Sequence, residues 1–190
     1  MTAKKITTRQ KILAAAKNLF STHGYSEATI DDIITAAGIT KGAFYHYFKS
    51  KEIICTEIID DVKNEYQNLF ESLPKELNPL EKLKAVIRQI IELNCSGQWV
   101  NCKLVLNIST QAHLLQSPIK QKLDGFWKWY IDQYRQLITQ CRDSNLIGSK
   151  LSIQQQVDFI VSVLIGNIWT KTVFDSSLDT ELIDYIVEKL

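Results

Sequence analysis

Apolar residues recur along most of this chain at intervals of three and four, the spacing of one face of an α-helix. Ile12, Leu13, Ala16, Leu19 and Phe20 form the first stripe. Thr7 and Gln10 precede it at capping-box spacing, and Gly24 follows it, where a left-handed residue ends a helix. A shorter stripe of Ile30, Ile33, Ile34 and Ala37 starts after Thr29, with Asp32 three residues on. Gly38-Ile39 reads as a turn, and Thr40 as the cap of a third helix from Lys41 to about Phe48. Ser50 caps a fourth helix, with Ile54, Ile58, Val62, Leu69 and Leu73 on its apolar positions.

Pro74 and Pro79 bracket a break, after which Leu80, Leu83, Val86, Ile87, Ile90 and Ile91 mark a fifth helix. Gly97 interrupts, and a sixth is predicted from Val100 to Leu115. Pro118 suits the first turn of a seventh carrying Leu123, Phe126, Trp127, Tyr130, Tyr134 and Ile138. Residues 145–149 form a loop with Gly148. Ser152 then caps a strongly apolar helix, and a last short one spans about Thr180 to Leu190. The pattern contains no internal repeat and no strand hairpin. The fold class is all-α with about nine helices.

Composition changes this picture little. The 190 residues are 45% hydrophobic, and three prolines and seven glycines leave little room for disordered linkers. The start, Met-Thr-Ala-Lys-Lys-Ile, has no apolar stretch after its lysines. No apolar run approaches the ~20 residues a membrane span needs, so a soluble, cytoplasmic chain without a membrane partner is expected. Cys55, Cys95, Cys102 and Cys141 include no CxxC pair, and no histidine stands near them at ligand spacing. They read as reduced, apolar residues, and neither a metal nor another cofactor is expected.

Charge is informative once divided. Residues 1–54 hold eight of the 22 Lys/Arg and four of the 21 Asp/Glu, a net of +4. The remainder holds 14 against 17, a net of −3. The first part is therefore suited to an anion that the second does not meet.

Residues 29–48 have the spacing of a helix-turn-helix. On the third helix Phe44 and Phe48 share one face, directed to the core. The neighbouring face offers Lys41, Gly42, Tyr45 and His46. Lys41 can donate to guanine edges or a phosphate, and Gly42 permits close approach to a groove. Thr29 and Thr40 place hydroxyls and amides at helix N-termini, where phosphates bind, and Lys51 adds a phosphate-directed charge. Two helices with a glycine turn also occur in plain bundles, and the run Phe44 to Phe48 reads equally as core.

Thr8-Arg9-Gln10-Lys11-Ile12-Leu13-Ala14-Ala15-Ala16-Lys17-Asn18-Leu19-Phe20 resembles the opening helix of the TetR/AcrR family of transcriptional regulators. Gly24-Tyr25, Ala28 to Ile33, Ala36 to Phe48 and Ser50-Lys51-Glu52 are similar to the same family, and the likeness covers about residues 7–54. The family often has a second hydroxyl residue after Thr29, where this chain has Ile30. The resemblance implies a homodimeric, ligand-controlled protein that binds double-stranded operator DNA, usually a repressor. It implies a helix-turn-helix domain over 1–54 and a helical effector-binding and dimerisation domain over 55–190. Thr29, Thr40, Tyr45, Tyr47 and Lys51 match positions that touch the DNA backbone. Lys41, Gly42 and Ala43 match positions that meet bases, and His46 matches either role. Asn101-Cys102-Lys103-Leu104 through Ser117-Pro118 is similar to a stretch in one branch of these regulators, with Asn101 where glycine is usual.

The second part offers aromatic and polar residues for a small, largely apolar effector of unknown identity. Trp99, Cys102, Asn107 and Gln111 are candidates on or near the sixth helix, together with His113; Trp127, Tyr130 and Trp169 follow later. Each also reads as core or dimer packing. The fourth helix links both portions and would carry a signal between them. A dimer interface is expected from the helices Leu123–Cys141 and Ser152–Phe174. Val157, Ile160, Val161, Leu164, Ile165 and Ile168 surround much of the latter, and Ser162 and Gly166 would admit a partner helix. The sequence contains no G-x-S-x-G, P-loop, H-E-x-x-H or G-x-G-x-x-G, so an enzyme is not expected. A helical protein-interaction module without DNA binding is the alternative, and salt-sensitive duplex binding separates the two.

Overall fold

The computed structural model describes residues 6–96, 101–111, 117–148, 150–175, 182–188 and 190. Nine helices and no strand occur among the described residues. They are α1 (Thr8–Thr22), α2 (Ile30–Ala37), α3 (Lys41–Tyr47), α4 (Lys51–Glu71), α5 (Pro79–Cys95), α6 (Asn101–Thr110), α7 (Ser117–Asp143), α8 (Ile153–Phe174) and α9 (Leu182–Glu188). The expected all-α class and helix order hold. The sixth helix stops at Thr110, five residues before the expected end, and residues 112–116 lie outside the described set.

Local chemistry accounts for the boundaries. Thr7, Thr29, Asn78 and Ser152 each form a complete capping box with the residue three positions on, Gln10, Asp32, Glu81 and Gln155. Each box satisfies two helix-end donors that would otherwise be left unpaired. Pro79 occupies the first turn of α5, where its missing N–H costs nothing.

The chain divides into two compact units, one built from residues 1–64 and 100–126, the other from 65–99 and 127–190. In the first, α1 packs against α2 and α6. Ile12, Ala16, Phe20, Ile33, Phe44, Ile54 and Ile58 are buried. Arg9 pairs with Glu57 at 2.5 Å and lies 5.3 Å from the Phe48 ring centre, tying α1 to α4 and to the end of α3. Helices as short as α2 and α3 are marginal alone. Each relies on its cap and on one wholly buried side chain, Ile33 or Phe44, worth roughly 1.5–3 kcal/mol apiece.

In the second unit α5 packs against α8 and α9, and Lys84 pairs with Asp184 at 2.7 Å. Tyr66, Tyr130 and Tyr134 are buried in an edge-to-face cluster, with Tyr66–Tyr130 and Tyr130–Tyr134 centroids 5.3 and 5.1 Å apart. The Tyr130 and Tyr134 hydroxyls, 3.1 Å apart, satisfy each other.

Two features of α8 go beyond its sequence pattern. Its 22 residues include a stretch of mean hydropathy 1.4, long and apolar enough by length and composition to cross a membrane. Ser162, Gly166 and Asn167 interrupt the apolar letters and conceal this in the sequence. Of the residues expected at a dimer interface, Val157, Ile160, Leu164 and Ile168 are buried in the chain's own core. Its exposed apolar face is instead Phe159, Trp169, Val173 and Phe174, with Ser162 and Gly166 also exposed. Leu182 and Tyr185 extend exposed apolar surface onto α9, whereas Lys120, Lys122, Lys128, Gln136 and Gln140 occupy exposed positions of α7.

Candidate nucleic-acid interface

The turn between α2 and α3 depends on Gly38, whose φ of +63° is costly for any residue with a Cβ. The Gly38 N–H donates to Thr35 O at 3.1 Å and the Ile39 N–H to Ile34 O at 3.2 Å, which closes α2. Thr40 then starts α3 by accepting the Ala43 N–H at 3.2 Å. Phe44 and Phe48 are directed inward, as the wheel predicts. That rotation leaves Lys41, Gly42, Tyr45, His46 and Tyr47 exposed and Ala43 half-buried. Tyr45 and Tyr47 keep 39% and 43% of their surface, unusually open for large rings next to a core, so their hydroxyls are available to a partner.

Lys41 Nζ lies 3.5 Å from Asp31 Oδ1, and both side chains are largely exposed. Such a pair contributes little and yields readily to a stronger anion. Lys49 donates to the Tyr45 carbonyl at 2.8 Å and steadies the end of α3.

Two of the nine expected contacts are differently disposed. Thr29 donates its hydroxyl hydrogen to Asp32 Oδ2 at 2.6 Å, and Asp32 Oδ2 also accepts the Thr29 N–H at 2.9 Å. The α2 N-terminus thus has its own carboxylate where a phosphate was expected. Those hydrogen bonds, from the Thr29 side chain first and its backbone second, hold the Asp32 carboxyl below its ordinary pKa. Lys51 is turned inward. Its ammonium donates to the carbonyls of Tyr25, Ala28 and Ser26 at 2.7, 2.8 and 3.3 Å, which uses all three hydrogens. An open groove of about 510 Å³ between α1 and α2 includes His23, Glu27 and Asp32 in its wall; its two carboxylates disfavour phosphate.

The residues expected around an effector separate between the units. Cys102, Asn107 and Gln111 belong to the first. Cys102 is buried, Asn107 Nδ2 donates to Ser21 O at 2.8 Å, and Gln111 Oε1 accepts the Ser26 N–H and hydroxyl, each at 3.1 Å. Both amides are therefore committed to the end of α1 and the loop after it. Periodicity could not reveal these partners, because 85 residues separate Ser26 from Gln111. Trp127 and Tyr130 belong to the aromatic cluster of the second unit, with centroids 5.9 Å apart. Trp169 is 62% exposed, on the open face of α8 rather than in an enclosed pocket. Trp99 and His113 lie outside the described residues. Burial pushes the Cys55 thiol up to about 12 and the Cys141 thiol up to about 11, leaving both inert as nucleophiles at neutral pH.

Residues 12–58 match the family described as bacterial regulatory proteins, tetR family. The HTH-type transcriptional regulator YdgC of Bacillus subtilis is 41% identical over 73 residues, 38% of this chain and 37% of that protein. The HTH-type transcriptional repressor DhaR of a Mycobacterium species is 25% identical over 156 residues, 81% of this chain and 77% of its own. The matched stretch thus spans little more than a third of the first relative and about three quarters of the second. The fold is that of AibR, solved in complex with isovaleryl coenzyme A and operator DNA, with a TM-score of 0.78, 22% identity, and coverage of 95% of this chain and 96% of that one. Residues 12–58 are thus similar to the DNA-binding segment of the tetR family of bacterial regulatory proteins, and the chain as a whole shares the fold of AibR.

Proposed function

We propose that this protein is a ligand-responsive, DNA-binding transcriptional regulator that represses from a palindromic operator as a homodimer and is released by a small molecule. The observation that carries the reading is the exposed face of α3, where Lys41, Gly42, Tyr45, His46 and Tyr47 stand outward from a helix anchored by Phe44 and Phe48. Such a helix fits the major groove end-on, with a cation and a bare backbone near base edges. Lys41, Gly42 and Ala43 are assigned to bases, Thr40, Tyr45 and Tyr47 to the DNA backbone, and His46 to either. Thr29 and Lys51 support the interface through the cap and loop they hold. In this reading residues 1–54 bind DNA, residues 55–190 bind the effector and dimerise, and the protein works in the cytoplasm.

The exposed apolar face of α8 supports the dimer. A second copy is its occupant, with Ser162 and Gly166 allowing close helix approach, because a palindrome requires two heads related by a twofold axis. The effector is a small, largely apolar molecule. AibR was solved with isovaleryl coenzyme A, a polyanion whose acyl group alone is apolar, so that thioester and an uncharged isovaleryl ester are the first pair to test.

Selection of duplexes from a random pool by the full chain, followed by titration at several salt concentrations, tests the reading. The expected result is one palindromic consensus and a log Kd that rises linearly with log salt. A chain that enriches no sequence and binds duplex DNA without salt dependence would instead be a helical protein-interaction module.

A further inference from the structure

The segment between α1 and α2, residues 23–29, has no helix of its own, yet its backbone is gripped by a side chain from α4 and by one from the residue just after α6. From α4, Lys51 takes the carbonyls of Tyr25, Ser26 and Ala28. Just beyond the last turn of α6, Gln111 Oε1 accepts both donors of Ser26 at 3.1 Å, and one turn earlier Asn107 Nδ2 holds the Ser21 carbonyl at 2.8 Å. The carboxamide lies directly against Gly24. A Cβ there would be 2.8 Å from Gln111 Nε2, and the φ of +84° already favours glycine.

This geometry has a consequence for α2 and α3. The gripped segment ends at Thr29, the cap of α2, and only the Gly38 turn separates α2 from α3. Fixing Ser26 and Gly24 therefore fixes where α2 begins and how α3 is presented. Gln111 and Asn107 are on neither α2 nor α3, and their amide groups are already spent on Ser26 and Ser21.

We propose that Gln111, assisted by Asn107, is a positioning residue for DNA binding: through Ser26 it sets the pose of α2 and α3 without touching DNA. The proposal rests on the DNA-binding reading above.

The test uses the full chain and the duplex that wild type selects from a random pool. Gln111→Ala is expected to weaken binding to that duplex about tenfold, the factor that follows from losing two ordinary hydrogen bonds. The Ser26 amide should exchange faster with solvent, and the salt slope should stay at its wild-type value because no cation has been removed. Ser26→Ala is expected to weaken binding about threefold. In that background Gln111→Ala should cost less than it does alone, a non-additivity that general loss of stability does not produce.

If Gln111→Ala fails to fold, Ser26→Ala against wild type reads the same joint, and unchanged affinity there overturns the proposal. A folded Gln111→Ala chain that binds within twofold of wild type, or whose Ser26 amide exchanges no faster, overturns it alone. A wild-type chain that selects no duplex overturns the functional reading and this proposal with it.

Discussion

The Lys51 ammonium lies 4.4 Å from the centre of the Tyr25 ring while donating to the carbonyl of Tyr25 itself at 2.7 Å. The site combines cation–π attraction with charge-assisted hydrogen bonds in a half-buried setting. Desolvation lowers the Lys51 pKa, and the same cause raises the Tyr25 hydroxyl to about 12. Lys51 is therefore a clasp on the α1–α2 loop. Lys51→Ala is expected to lower the free energy of unfolding by about 2 kcal/mol, since carbonyls are left without their donor. Urea denaturation measures this. The salt slope of DNA binding should not change; a slope smaller by about one would return Lys51 to the phosphate backbone.

The Asp32 carboxyl offers a check by pH. Hydrogen bonds from Thr29 depress its folded-state pKa below the ordinary 3.8. Its contribution to stability is therefore complete above 3.8 and is lost as pH falls through the lower folded value. A carboxyl titration followed by NMR should place the Asp32 midpoint below 3.8, and Thr29→Ala should move it back toward that value. A wild-type midpoint at or above 3.8 would mean that the α2 capping box does not form in solution.

Helix starts were the most legible feature of this sequence, because a cap is a local event. Thr7–Gln10 and Thr29–Asp32 lie three residues apart, and Gly38 declares its turn by residue type alone. The inward pair Phe44 and Phe48 followed from helical periodicity. Long-range polar partners were not legible. Nothing in the letters of Lys51 distinguishes an ammonium directed at phosphate from one enclosed by three carbonyls. Asn107 and Gln111 looked like ligand groups because an amide side chain carries no sign of a partner 85 or 86 residues away. The apolar excess of α8 was visible, but which residues faced outward depended on how α5 covered it.

Lys41 separates base reading from general attraction. Its exposed ammonium has one loose partner, Asp31. Lys41→Ala is expected to weaken binding to the selected duplex by about 1–3 kcal/mol, and binding to a scrambled duplex by less, so that discrimination falls. Competition between the two duplexes at fixed salt measures the difference. Equal losses on both would place Lys41 on phosphate rather than on a base.

Asn167 is 2% exposed on α8, and both polar atoms of its carboxamide lack a hydrogen-bond partner among the described residues. Ile160, Leu164 and Ile168, buried on the same helix, surround it with apolar neighbours in sequence. Burial of an unpaired donor and acceptor opposes folding, and Asn is also a weaker helix former than Leu. Asn167→Leu should therefore stabilise the chain by about 1–3 kcal/mol, measured as a higher urea midpoint at unchanged m. A lower midpoint would mean that ordered water satisfies the amide in solution.

The dimer can be tested on residues whose loss leaves the chain's own core intact. Phe159 is 38% exposed and Trp169 62%, so neither is among the buried core residues of the chain. Both lie on the face of α8 that also presents Ser162 and Gly166, where small side chains let a second helix approach. An aromatic surface of this kind is costly to leave in water and gains most when a second copy covers it. Phe159→Glu combined with Trp169→Glu would place two carboxylates per chain, four per dimer, in a region now apolar. Burying them unpaired costs several kcal/mol, enough to dissociate a dimer of ordinary affinity. The expected result is a folded monomer by sedimentation at micromolar concentration, with an unchanged helical spectrum. Its binding to a single half-site should be preserved, while its binding to the full palindrome should fall to the half-site level, because two heads no longer arrive together. A doubly substituted chain that still sediments as a dimer would move the interface away from this face of α8. The exposed Leu182 and Tyr185 of α9 would be the next pair to substitute.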